Sequence, residues 1–121
     1  MATGPIRGGY VGHDFYCDVA IPDLSALDVV YDDESVLAFH HTRPFWETHI
    51  VVVPKKHVDS LTTVGADDAD LMRRLFVVVQ AIARDVEERA GAAAVLTNLG
   101  RYQDSKHLHI HVHSGGRLTT E

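Results

Sequence analysis

Apolar residues recur along this chain with two periods, and those periods divide it into short strands and one long helix. Asp28–Asp32, with Val29, Val30 and Tyr31, predicts a first strand, and Ser35–His40, with Val36, Leu37, Ala38 and Phe39, a second. The polar turn Asp32-Asp33-Glu34 between them implies an antiparallel hairpin. His49–Val53 is a strongly β-prone run that Pro54 ends. Residues 41–47, with Pro44, Phe45 and Trp46, read as a loop, and Val58–Leu61 as a short helical step. Leu71, Leu75, Val78, Val79, Ile82 and Val86 recur at helical spacing and predict a helix over Asp67–Ala90. Asp67 or Asp68 would cap its start and Gly91 would stop it. Ala93–Leu99 predicts another strand, followed by a loop over 100–106. Ile21 precedes Pro22 and is expected to be extended. Residues 14–20 are too short and mixed to assign.

The last apolar pattern is the most informative. From His107 to His113, histidine alternates with Leu108, Ile110 and Val112, and Gly115-Gly116 follows as the expected end. On a strand this sets four imidazoles on one face, about 7 Å apart, and three aliphatic side chains on the other. Protonating neighbouring rings would crowd like charges together, so the row is a poor structural choice. It points to imidazole used as a base, a nucleophile or a metal ligand rather than to a solvated histidine run. About five strands with one helix between the third and fourth give an α+β domain.

Composition narrows the function. The chain has 121 residues, 45% hydrophobic and 23% charged, which suits one domain over 13–121 behind a flexible Gly- and Pro-containing lead over 1–12. The formal charge is −6 with no block of Lys or Arg. That argues against nucleic acid as a partner and leaves room for a small phosphorylated ligand. No segment is long and apolar enough for a membrane, and the start lacks a signal-peptide pattern. The single cysteine, Cys17, excludes an intrachain disulfide and suits the cytoplasm.

The spacing of His107, His109 and His111 resembles the signature of the histidine triad (HIT) nucleotide hydrolases and transferases, especially their small Hint-like branch. Leu37-Ala38-Phe39-His40, the run from His49 to His57 with its Pro-Lys-x-His end, Asn98-Leu99-Gly100 and Gln103 are similar to further family segments, over Phe15 to Arg117. The resemblance implies a five-stranded antiparallel sheet with one long and one short helix, dimerising into a continuous sheet. It implies displacement at the α-phosphorus of a purine nucleotide or nucleotide conjugate, a phosphoramidate above all. By the same resemblance His109 is the nucleophile and forms a nucleotidyl-histidine intermediate. The His107 carbonyl orients it, and His111 and His49 support the phosphate. Phe39, His40, His41, Asn98, Gln103 and Ser105 would contact the nucleotide. No cofactor is required.

Several positions depart from the family pattern. Asp104 stands where a small hydroxyl residue assists the leaving group, and His41 where an acid holds the ribose. The loop before the triad is shorter and carries Tyr102 in place of a glycine, His113 replaces an apolar residue, and the chain has no Trp-containing tail. These departures keep open a catalytically weak nucleotide- or partner-binding dimer. Some relatives bind zinc through Cys-x-x-Cys and two histidines; Asp14, Cys17, His57 and His107 would be the corresponding set. The missing second thiol favours Cys17 as a small buried apolar residue instead. Phe45 and Trp46 suit a pocket wall or a packed core equally.

Overall fold

The computed structural model describes Gly12 and residues 14–118, and the remainder of the expected lead over 1–12 lies outside them. Five strands form one antiparallel sheet: β1 (Val29–Asp32), β2 (Val36–His40), β3 (Trp46–Pro54), β4 (Ala94–Leu96) and β5 (Ile110–Arg117). Their spatial order is β1-β2-β3-β5-β4. The expected hairpin joins β1 and β2, where the Asp33 carboxylate accepts the Ser35 and Val36 N–H groups and closes the turn.

Helix α1 (Ala69–Ala90) lies across one sheet face. Its Leu75, Val78, Val79, Ile82 and Val86 pack on Val36, Ala38, Ile50, Val52, Leu108 and Val112. The opposite face buries Leu37, Phe39, Val51 and Val53 under Tyr16 and Ala20 of a π-helical turn (Tyr16–Ala20). Because β2 and β3 are covered on both sides, they read as continuous apolar runs rather than as alternating ones. The α+β class with five antiparallel strands and one long helix is therefore as expected.

Several boundaries differ from the pattern. Ile21 is helical rather than extended, because its N–H donates to the Tyr16 carbonyl (2.8 Å) and closes the π turn. β3 starts at Trp46, inside the expected loop, and includes Pro54. The helical step falls at Leu61–Thr63 and not at Val58, whose carbonyl accepts the Leu108 N–H. α1 begins at Ala69 after a 3-10 turn, Ala66–Asp68. Asp68 stands at the cap position, but its carboxylate turns back to the Gly65 N–H and the Lys56 ammonium. Gly91 ends the helix at φ +87°, as expected.

The histidine segment differs most. His107 to His109 precede β5, and the strand runs on through both glycines to Arg117. Pairing with β3 slips by one residue between Trp46↔Arg117 and Thr48↔Ser114, a bulge containing Gly115 at φ +87°. A side chain at Gly115 would be strained at that angle and would collide with Glu47. Gly115→Ala is therefore expected to cost about 1–3 kcal/mol, read as a lowered midpoint in urea unfolding with an unchanged slope.

Candidate active site

The imidazoles of β3 and β5 emerge on the face away from α1, and the main chain sets their tautomers. The Phe45 N–H, which can only donate, gives its hydrogen to His49 Nδ1 (3.0 Å). Neutral His49 then carries its proton on Nε2 and donates to His111 Nδ1 (2.9 Å). That leaves the His111 proton on Nε2, a buried atom with no partner among the described residues. His109 is ordered from the other end: its Nδ1–H donates to the His107 carbonyl (2.7 Å), so Nε2 keeps its lone pair. The arrangement sets one unshared lone pair and one unpartnered N–H side by side, with the His109 and His111 ring centroids 5.0 Å apart.

These rings are held neutral. Burial, reinforced by neighbouring imidazoles, pushes His49 down to about 3 and His111 to about 2. Burial likewise pushes His41 to about 4 and lowers His109. His109 and His111 border a cavity of about 590 Å³. Phe15, Tyr16 and Phe39 line one part of it, Phe45 and Trp46 another, and Asn98, Tyr102, Asp104 and Ser105 close it from the loop before the triad.

A family profile described as HIT domain matches residues 25–117. The chain belongs to the HIT family. It is 34% identical over 92 residues to an uncharacterised HIT-like protein of Chlamydia muridarum, covering 75% of this chain and 73% of that one. A histidine triad protein of Clostridium difficile superposes with a TM-score of 0.72 at 34% identity, covering 89% of this chain and 95% of the other. A HIT family hydrolase of Legionella pneumophila gives 0.73 at 26%, covering 88% and 96%.

Within this HIT domain the expected residues divide. His109, His111, His41, Phe39, Asn98, Asp104 and Ser105 border the cavity, and His49 stands directly behind His111. Ser105 also accepts the Phe15 N–H (2.8 Å), so it ties the N-terminal turn to the loop. Gln103 and His40 do not line the cavity. The buried Gln103 amide donates to the Asp59 carbonyl (2.7 Å), and His40 is exposed at the end of β2. Tyr16 and Arg43 line the cavity without having been singled out from the sequence. The Tyr16 ring lies 4.8 Å from that of His109, and its hydroxyl is held protonated by burial and by the charges of Asp14 and Asp104. An aromatic residue just before Cys17 was the available signal.

The His107 ring turns away from the cavity. Its Nε2–H donates to the Pro54 carbonyl (2.7 Å), and its Nδ1 faces Asp14 Oδ2 (3.1 Å) and Cys17 Sγ (3.3 Å). His57 Nδ1 lies 2.6 Å from the same Asp14 oxygen and 3.7 Å from Cys17 Sγ. Ligands at about 2.0–2.3 Å around tetrahedral zinc are separated by roughly 3.3–3.6 Å, so sub-ångström shifts would adapt this set. Burial works to raise the Asp14 pKa, but bonds to the His107 ring and the Cys17 N–H outweigh it and hold the carboxyl well below its usual range. Burial and the Asp14 carboxylate push the Cys17 thiol up to about 11. The bond to Asp59 leads in raising His57. A metal would displace the protons that now occupy this cluster.

Ligand atoms of His41, His49 and His111 also converge. His41 and His49 stack 4.3 Å apart at 20°, however, so their in-plane lone pairs run side by side. Main-chain N–H groups occupy Nδ1 of both rings. That cluster is ordered as a hydrogen-bonded stack rather than as a chelate.

The buried neutral rings have a consequence for acid stability. Their folded pKa values of about 2 to 4 lie below the ordinary 6.5, so the unfolded chain binds more protons at mildly acidic pH. Their contribution is fully present above about pH 6.5 and lost as pH falls toward the folded values. Unfolding free energy measured between pH 7 and 4 is expected to decline with acidity, and His49→Gln to flatten the decline.

Proposed function

We propose that this HIT protein is a hydrolase that cleaves nucleotide conjugates at the α-phosphorus, with phosphoramidates as the favoured class. One observation carries the reading: the His109 Nε2 lone pair, set by the His107 carbonyl, and the His111 Nε2–H, unpartnered among the described residues and set through His49 by the Phe45 N–H, belong to neighbouring rings that border the cavity. His109 Nε2 attacks phosphorus, a P–N bond to the ring forms, and the bond to the leaving group breaks. The His107 carbonyl, accepting from Nδ1–H, stabilises the positive charge the ring acquires. His111 donates to a non-bridging phosphate oxygen, a donor already aimed before the substrate enters. Water then displaces the ring, releasing the nucleoside monophosphate and restoring neutral His109.

Asp104 puts a carboxylate on the cavity wall. As a negative charge it repels an anionic phosphate chain and can accept a hydrogen bond from an amine leaving group, so it suits the amine better. The amine takes its proton from solvent, matched by the proton that water gives up in the second step. The same carboxylate is the feature that favours the second reading, a nucleotide-binding dimer with little turnover. Phe76 and Val77 are exposed on α1, and Val95 is exposed on β4 at the sheet edge. These support a homodimer joined through helix and edge strand. No helix of the described residues is long and apolar enough to cross a membrane, and a single free cysteine fits a cytoplasmic setting.

Asp14, Cys17, His57 and His107 would hold zinc as a closed four-ligand structural site, fastening the N-terminal turn to the triad. Bound there, the ion supplies folding energy rather than a reactive ligand position. Zinc is expected to raise the thermal midpoint of the wild type by several degrees and to leave Cys17→Ser unmoved. Equal midpoints with and without zinc in the wild type would leave Cys17 as a thiol in contact with the His107 ring, half-buried rather than the buried apolar residue expected from the sequence.

The decisive assay is release of nucleoside monophosphate from a nucleoside phosphoramidate. His109→Ala is expected to lower turnover more than about a thousandfold with an unchanged far-ultraviolet spectrum; full activity in that variant would refute the nucleophile assignment. Asp104→Ser is expected to shift the kcat/KM ratio toward dinucleoside polyphosphates and away from phosphoramidates. No turnover of either class by the wild type would leave the binding reading.

A further inference from the structure

His113 completes the alternation of the triad strand, yet no step of the proposed reaction uses it. Its ring lies flat on Trp46, with ring centroids 3.6 Å apart and planes 10° apart. Trp46 in turn meets His49 at 4.9 Å and 71°, and Phe45 at 5.9 Å and 87°. The indole is half-buried and borders the same cavity as His109 and His111. Simple alternation would send Trp46 and His49, three positions apart, to opposite faces. The bulge at Gly115, opposite the Trp46–Thr48 stretch, accompanies their meeting on one face.

The cavity therefore has two aromatic patches with the reacting imidazoles between them. Tyr16 packs on His109 at one side, with Phe15 and Phe39 near it. Trp46 packs on His49, behind His111, at the other. A phosphate held between His109 and His111 leaves both patches within reach of its substituents. A stacked ring behind the indole restricts its rotamers before any ligand arrives, which reduces the ordering cost of a stack.

We propose that Trp46, held flat by His113, is a stacking platform for a planar aromatic ring of the ligand. The site then selects nucleotide conjugates by a ring as well as by the phosphate. Trp46 is the specificity-determining residue and His113 its positioning residue. The inference rests on the nucleotide reading above. The ring can belong to the nucleobase or to the leaving group, and the experiment separates the two.

Trp46 is the only tryptophan in the chain, so its emission reports this residue alone. The full-length protein is titrated with adenosine 5′-monophosphate, phenyl phosphate and ribose 5-phosphate, by fluorescence and by calorimetry. Saturable quenching by a ring-bearing ligand, with none by ribose 5-phosphate, is the expected result. Quenching by the nucleotide assigns the nucleobase to Trp46; quenching by phenyl phosphate assigns the leaving-group ring. His113→Ala should weaken the quenching ligand by about three- to tenfold, His113→Phe should restore it, and ribose 5-phosphate should bind both variants as it binds the wild type. Calorimetric binding of the ring ligands without a change in emission, equal quenching by ribose 5-phosphate, or unchanged affinity in His113→Ala would each overturn the platform and leave the hydrolase reading standing. Failure of all three ligands to bind would remove both.

Discussion

Every feature of the site depends on keeping several imidazoles uncharged in the same small volume. His41, His49, His109 and His111 are all pushed below their ordinary pKa, with burial the leading cause. In such surroundings a ring N–H without an acceptor is costly, and a second positive charge more so. The rings solve this by passing hydrogen bonds in one direction. The sequence of donors starts at the Phe45 N–H, runs through His49, and ends at His111 Nε2, which is left for a ligand. His109 is anchored separately on the His107 carbonyl. Both starting points are backbone groups, so loop closure and strand register decide which nitrogen carries a proton.

The sheet separates stability from chemistry. One face is packed by α1 with aliphatic side chains alone, and the alternation in the triad segment sends Leu108, Ile110 and Val112 there. The other face carries the imidazoles and is closed by the N-terminal turn. That turn places Tyr16 on His109, bonds Phe15 to Ser105, and brings Asp14 and Cys17 to the His107 ring. A short segment with no periodicity of its own thus packs on the His109 ring and forms part of the cavity wall. His107 is divided between the two sides, since its carbonyl accepts from His109 while its ring faces Asp14 and Cys17 of the turn.

The departures from the family pattern gather around the cavity rather than in the core. His41 stacks on His49 and accepts the Arg43 N–H, so a neutral ring stands where the pattern has an acid. Asp104 and Arg43 bring the two fixed charges to a lining that is otherwise neutral and aromatic. A helix and sheet common to HIT proteins can therefore carry a pocket with its own charge balance.

The sequence by itself determined the element order, the helix stripe, the Gly91 stop and the division of the triad segment into an apolar and an imidazole side. These follow from spacing along one element, where period and side-chain type suffice. It also carried the triad spacing and the resemblance that implies His109 as the nucleophile. What it left undecided depends on partners distant in the chain. The helical Ile21 depends on a bond that the rule for residues before proline does not contain. Gln103 turned out to hold a loop to Asp59 because its amide found a carbonyl across the fold. The resemblance already named Asp14, Cys17, His57 and His107 as one set, but the tautomers of His49 and His111, the bonds that Asp14 makes to the His57 and His107 rings, and the stacking of His113 on Trp46 all join residues from different elements. Only tertiary structure decided them, because a hydrogen bond or a ring stack is fixed by ångström-scale placement that spacing along the chain does not encode.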